Sequence, residues 1–306
     1  MVKISVQANF VDRQQWTALA QKIETAGFDA LYAADHLGSS VSPFTVLGAA
    51  AAVTNNVGLG TCVLNAGLRD PLSLASELAT LDAVSNGRAI FGIGAGHTPA
   101  EWTMLARAYP SPGERVDRLT EMVHAVQQLL AGESVTVESR HVHLSQATLI
   151  EPRKIQESIP LSIGGNGRRV LQLAVELADI VGVTGLGRTM PDGQQHEVKW
   201  SARELDETFN LISQHANEVG RSPDIEALVQ GVTITDDAPR AAEAIAKLIT
   251  GASAEDLLSA PFMWMGTVQQ IADQVLGAEQ RWGINRYVIR DSAIEEVVAV
   301  MEILNQ

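Results

Sequence analysis

Cysteine is nearly absent: Cys62 is the single one in 306 residues, which excludes an internal disulfide and a cysteine-rich zinc site. Positive charge is scarce as well, with 22 Lys and Arg against 36 Asp and Glu and a net charge of −14. That balance argues against nucleic acid or an anionic membrane surface as a partner, because counterion release needs a basic face. An anionic cofactor held locally by backbone amides stays compatible with it. No stretch reaches the ~18 apolar residues of a membrane span, and the opening MVKISVQANF lacks the apolar run of a signal peptide. A soluble, cytoplasmic protein is expected. Walker loops, serine-nucleophile motifs, internal repeats and Pro/Gly/Ser-rich linkers are missing too, so residues 1–306 read as one domain.

What the chain does contain is an alternation of short apolar runs with amphipathic segments, the pattern of parallel strands joined by helices. Strands are expected at residues 3–9, 30–35, 57–65, 88–94, 160–165, 179–185, 226–235 and 286–291. Helices follow each of them. Asp12 caps the first, which Gly27 stops, and Pro43, Pro71 and Pro239 open others. Eight βα units in this length predict an α/β fold of the (β/α)8 TIM-barrel type, with a doubly wound sheet as the alternative. Residues 133–150 alternate with period two and read as a β-hairpin insertion. Residues 186–199 read as a long loop after the sixth strand, a place where barrels often carry function.

In such a barrel the C-terminal strand ends face the active site. Those ends supply Asp35-His36, Thr61-Cys62-Val63-Leu64-Asn65, Gly94-Ala95-Gly96-His97 and Gly164-Gly165-Asn166-Gly167. A histidine there can act as acid or base near neutral pH. A helix-capping Asp-His pair is the structural alternative for Asp35-His36, and a surface loop residue the alternative for His97. The 164–167 segment opens a helix with a glycine-rich turn, suited to a phosphate, or is an ordinary tight turn. Cys62 reads as structural or pocket-lining. His141 and His143 have strand spacing that puts both rings on one face, but they lie in the inserted hairpin without further ligands, and no metal site is expected.

The segments YAADH, GLGTCVLN with RDPLSLASELATLDAVSNGR, IFGIGAG, IPLSIGGNG and FMWMGTVQQIADQVLGAEQRWGINRYVIR resemble the luciferase-like monooxygenase family, and within it the oxidoreductases that use the deazaflavin coenzyme F420. The resemblance spans nearly the whole chain. It implies a barrel with the deazaflavin in its mouth, Asp35 and His36 beside the reactive ring, and a non-proline cis peptide near Thr61-Cys62-Val63 against the ring's far face. Asn65 belongs to that same strand end. Gly94, Ala95 and Gly96 would line the cofactor's side chain, and Gly164, Gly165, Asn166 and Gly167 would bind its phosphate.

The sequence departs from the sugar-phosphate dehydrogenase branch of that family. That branch has a Trp shortly after its Asp-His pair and a Glu after the fourth-strand glycines, where this chain has Leu37-Gly38-Ser39-Ser40 and His97. It also places an Asn where this chain has Ala100, so a sugar phosphate is not indicated. The expected activity is hydride transfer between coenzyme F420 and a small organic substrate. His36, with His97 as the other candidate, would manage the proton, and Asp35 would position it or hydrogen-bond the cofactor. An FMN-dependent monooxygenase and a non-catalytic flavin-binding barrel are the alternatives. Family members are often homodimers, and a homodimer is expected here.

Overall fold

A computed structural model of the chain describes residues 2–189 and 196–305. Its parallel strands are β1 (Lys3–Ala8), β2 (Ala30–Ala33), β3 (Gly58–Thr61), β4 (Ala89–Gly94), β5 (Leu161–Gly164), β6 (Ile180–Val183), β7 (Asp224–Leu228) and β8 (Ile284–Arg290). The helices are α1 (Arg13–Thr25), α2 (Pro43–Ala51), α3 (Pro71–Val84), α4 (Pro99–Met104), α5 (Pro112–Leu130), α6 (Arg168–Leu177), α7 (Ala202–Val219), α8 (Ala238–Ala246), α9 (Ala254–Ser259), α10 (Val268–Trp282) and α11 (Ile294–Leu304). Eight parallel strands, each followed by helix, make this a (β/α)8 barrel fold, as the strand count predicts.

The chain clusters into two compact units, residues 8–164 and residues 1–7 with 165–306. In the first-half unit β2 pairs with β3, β3 with β4, and β4 with β5, with Gly94 level with Gly164. In the second-half unit β8 lies between β1 and β7, and β7 pairs onward with β6. Most of these strand residues are buried and apolar, which explains why they read as continuous hydrophobic runs.

Local signals fix the helix ends. The Asp12 carboxylate accepts the Gln15 N–H at 2.8 Å at the start of α1, and Gly27, at φ +81°, follows its end. Asp70 accepts from Leu72 and Ser73 at the start of α3, ahead of Pro71. Capping boxes open α5, α9 and α10. Buried Asp82 accepts from the Ile155 and Gln156 amides and the Gln156 side chain, binding the segment after the hairpin to α3.

The hairpin forms as expected from Val135–Glu138 and His143–Ala147. His141 lies in the turn before the second strand, so the two histidines do not share one strand face. The expected loop 186–199 contains an antiparallel ribbon of Leu186–Thr189 and His196–Val198, while residues 190–195 lie outside the described residues. The expected strand 226–235 is two strands. After Leu228 the chain leaves β7, the Gln230 amide donates to the Phe262 carbonyl at 2.7 Å, and Gly231–Ile234 pairs with Met263–Gly266 instead. The apolar run is continuous through that switch, so periodicity alone does not reveal it.

Candidate active site

The strand ends of the first-half unit gather two linked polar clusters. Asp35 follows β2, and its carboxylate receives the Arg69 guanidinium at 2.7 and 3.3 Å and the Asn65 amide at 3.3 Å. Arg69 also reaches Glu77 at 3.3 Å and lies 5.9 Å from the Phe44 ring centre. Burial pushes the Glu77 carboxyl upward, and the Arg69 charge opposes that rise. Asp35 is therefore the centre of an ion pair that ties the β2 end to the segment after β3.

The second cluster is built around His36. Its Nδ1 lies 3.0 Å from Glu101 Oε1. The Glu101 side chain is 3% exposed and that of His36 43% exposed, so the histidine is the member that reaches the surface. Glu101 Oε2 accepts from Asn65 Nδ2 at 2.7 Å, and Asn65 Oδ1 accepts the Gly67 amide at 2.9 Å. The rings of His36 and His97 meet edge to face at 5.6 Å. A Cβ at Gly96 would lie 2.1 Å from Asn65 Oδ1, and Gly96 sits at φ +76°; glycine lets the chain pass directly over the asparagine.

Between these clusters, Thr61 is buried and donates its hydroxyl to the Gly92 carbonyl at 2.7 Å, while the Cys62 amide donates to Ala33 at 3.1 Å. The peptide between Cys62 and Val63 is cis. Val63 packs against both neighbouring strand ends: a Cβ at Gly94 or Gly164 would lie 2.9 or 3.0 Å from its methyls. Cys62, Val63, Ala95 and Gly96 are half-buried, Gly94 is buried and His97 is exposed. A cavity of about 500 Å³ opens in the same unit, bounded by Ala8, Asn9, Phe10, Ala33, Ser40 and Val41 among others, with no charged side chain in its lining.

The turn from Gly165 is organised in the second-half unit. The Gly165 amide donates to the Gly182 carbonyl of β6 at 3.0 Å, which commits it to the sheet rather than to an anion. The Asn166 side chain accepts from the Thr184 and Gly185 amides at 3.0 and 2.8 Å and donates to the Thr184 hydroxyl at 2.7 Å. Gly167 caps α6 without a side-chain bond. A Cβ at Gly165 would lie 2.4 Å from Val170 Cγ1, whereas one at Gly167 meets nothing within 4 Å.

Sequence reading places Asp35, His36, Asn65 and His97 correctly at strand ends, and the structure brings all four into the first-half clusters. It misses Arg69 and Glu101. Glu101 stands in the first turn of α4, where an acidic residue is unremarkable as a helix-dipole partner. Arg69 precedes the α3 cap Asp70 and carries no local signal for its partner 34 residues away. Among the described residues, no three His, Cys, Asp or Glu side chains gather as a metal set.

Comparison with known proteins agrees with this architecture. The pattern of the luciferase-like monooxygenase family matches residues 6–283. The F420-dependent glucose-6-phosphate dehydrogenase of Nakamurella multipartita is 32% identical over 209 residues, covering 63% of this chain and 60% of that protein. The 5,10-methylenetetrahydromethanopterin reductase of Methanopyrus kandleri is 29% identical over 241 residues, covering 73% and 64% respectively. The chain thus spans less than two thirds of the length of these curated relatives. The solved structure of the coenzyme F420-dependent tetrahydromethanopterin reductase from Methanopyrus kandleri superposes with a TM-score of 0.78 at 23% identity, over 99% of each chain. The chain belongs to the luciferase-like monooxygenase family.

Proposed function

We propose that the protein is an oxidoreductase that moves a hydride between coenzyme F420 and a small, uncharged organic substrate. The observation that carries this reading is the His36–Glu101 pair at a strand end, in the same unit as the side-chain-poor surface of Val63, Gly94 and Gly164. That surface suits a planar ring, since a Cβ at either glycine would be crowded by Val63. The F420-dependent activity named for the Nakamurella multipartita relative supports the same cofactor. A deazaflavin bound there supplies hydride chemistry, which the protein's side chains lack.

The residues have separate tasks in this reading. His36 holds or releases the proton that accompanies the hydride, at Nε2, because Nδ1 is turned to Glu101. His97 packs against the His36 ring and narrows its orientations. Asp35 and Arg69 neutralise each other, and Asp35 fixes the Asn65 backbone relative to β2. Ala95 and Gly96 line the cofactor's side chain. The start of α6 is a separate element: the amides of Asn166 and Gly167, following Gly164 and Gly165, bind a phosphate at a helix N-terminus. The uncharged cavity beside β2 favours a neutral substrate over a phosphorylated one.

A substrate panel tests the reading. Quinones, unsaturated lactones, imines and alcohols are offered with F420 in the matching redox state under anaerobic conditions, and the deazaflavin spectrum is followed. At least one neutral compound is expected to turn over. Oxygen-dependent consumption of reduced FMN, with no F420 turnover across the panel, would reassign the protein to the monooxygenases.

A further inference from the structure

We infer that Glu101 is a positioning residue that fixes the tautomer of His36, so that the proton is exchanged only at Nε2. The inference rests on the proton-carrying reading of His36, although its geometric part stands alone.

The chain of hydrogen bonds runs in one direction. The Gly67 amide can only donate, so the Asn65 atom 2.9 Å from it is the carbonyl oxygen. The other end of Asn65 is then the NH2 group, and it donates to Glu101 Oε2 at 2.7 Å. A carboxylate accepts at both oxygens, so Oε1, 3.0 Å from His36, accepts from an Nδ1–H. Each orientation is thus dictated from the backbone outward, by an amide that has no alternative role. Glu101 is buried with this task, on the short helix α4, while the ring it holds is exposed. Glu101 from α4 and His97 from the segment after β4 face the ring, and Asp35, the residue before it, is paired with Arg69.

The step balances with this tautomer. In the reducing direction a bound reduced deazaflavin would supply the hydride, and the His36 imidazolium would give the substrate its proton from Nε2. The ring is left neutral with its proton on Nδ1, facing Glu101, and water restores the Nε2 proton. The carboxylate holds the Nδ1 proton and keeps that nitrogen from competing for the substrate's proton.

Glu101→Gln gives a sharp test because the network forces its orientation. Asn65 still donates, so the oxygen of the introduced carboxamide must turn to Asn65 and its NH2 group to His36, which requires an accepting Nδ1. In protein with isotope-labelled histidine, the ring nitrogen resonances of His36, identified by their loss in His36→Gln, should report Nδ1–H in the wild type and Nε2–H in Glu101→Gln. Turnover should fall at least ~10-fold, mainly in kcat. Glu101→Asp, which keeps the charge, should recover Nδ1–H and part of the rate, and it serves as the second variant if Glu101→Gln does not fold. An unchanged tautomer in folded Glu101→Gln overturns the inference. A switched tautomer with undiminished turnover in both Glu101→Gln and His36→Gln leaves the positioning role standing and overturns the proton-carrying reading.

Discussion

The two halves of the molecule use buried and half-buried charge in opposite ways. In the first-half unit, Asp35, His36, Arg69 and Glu101 lie beyond the C-terminal ends of their strands, and one member of the network, His36, reaches the surface. In the second-half unit the comparable charges lie within the strands. Glu226 of β7 and Arg286 of β8 are level in the sheet, both buried and 3.5 Å apart, with Asp224 at 3.6 Å from the same guanidinium. Both halves use Asp, Glu and Arg, and the first-half network adds a histidine. Position along the strand separates them: near the strand start the charges hold the barrel, and past its end they are available for chemistry.

The largest effect should come from the second-half pair. Glu226→Leu removes a carboxylate from buried Arg286 and should lower stability by about 3 kcal/mol, as for removal of one member of a buried pair. Urea unfolding checks this. A loss below ~1 kcal/mol would mean that the buried pair does not hold the sheet and would blur the contrast.

Next comes the first-half histidine. His36→Gln should lower turnover at least ~10²-fold, about 2.7 kcal/mol of transition-state stabilisation. Its unfolding midpoint should stay near that of the wild type, since the ring is substantially exposed. A large stability loss with little kinetic effect would place His36 with the structural charges.

Two neighbouring glycines sharpen the second-half side. Gly165→Ala forces a methyl against Val170 and should destabilise by about 1–3 kcal/mol. Gly167→Ala meets open space and should change stability by about 0.5 kcal/mol or less. Thermal unfolding of the two variants in parallel decides the point, and equal losses would contradict the packing described for the α6 turn.

The smallest effect concerns the outer surface. The hydrogen bond His215 makes to Glu176 raises its pKa above the ordinary value; burial opposes the rise, and the hydrogen bond to Glu218 adds to it. With the folded value raised, the stabilisation is fully present below the unfolded value of about 6.5 and fades as pH rises through the folded value. The stability difference between wild type and His215→Gln should therefore be larger at pH 5 than at pH 9. The opposite slope would remove the acidic partners from the explanation.

Legibility in the sequence follows the same division between local and distant causes. Asp12 announces a helix start because its partner lies within three residues, and Pro71 because its fixed φ suits the first helical position; both helices begin where those residues indicate. Asp35 and His36 are legible as strand-end residues for the same reason. Their partners are not: Arg69 is 34 residues from Asp35, and Glu101 is 65 from His36, distances that only the folded barrel closes. The divided strand 226–235 fails similarly, since the segment that captures Gly231–Ile234 is Met263–Gly266 and the apolar pattern does not name it. The Gly165 amide looks available for an anion in the sequence, and its partner in β6 is likewise a tertiary choice.

The most direct test of the central claim is a side-by-side titration of one protein preparation with F420 and with FMN, followed by cofactor fluorescence. The deazaflavin reading predicts micromolar or tighter F420 binding that exceeds FMN affinity at least ~10-fold, about 1.4 kcal/mol. FMN binding ~10-fold more tightly than F420 would contradict it and assign the His36 site to flavin chemistry.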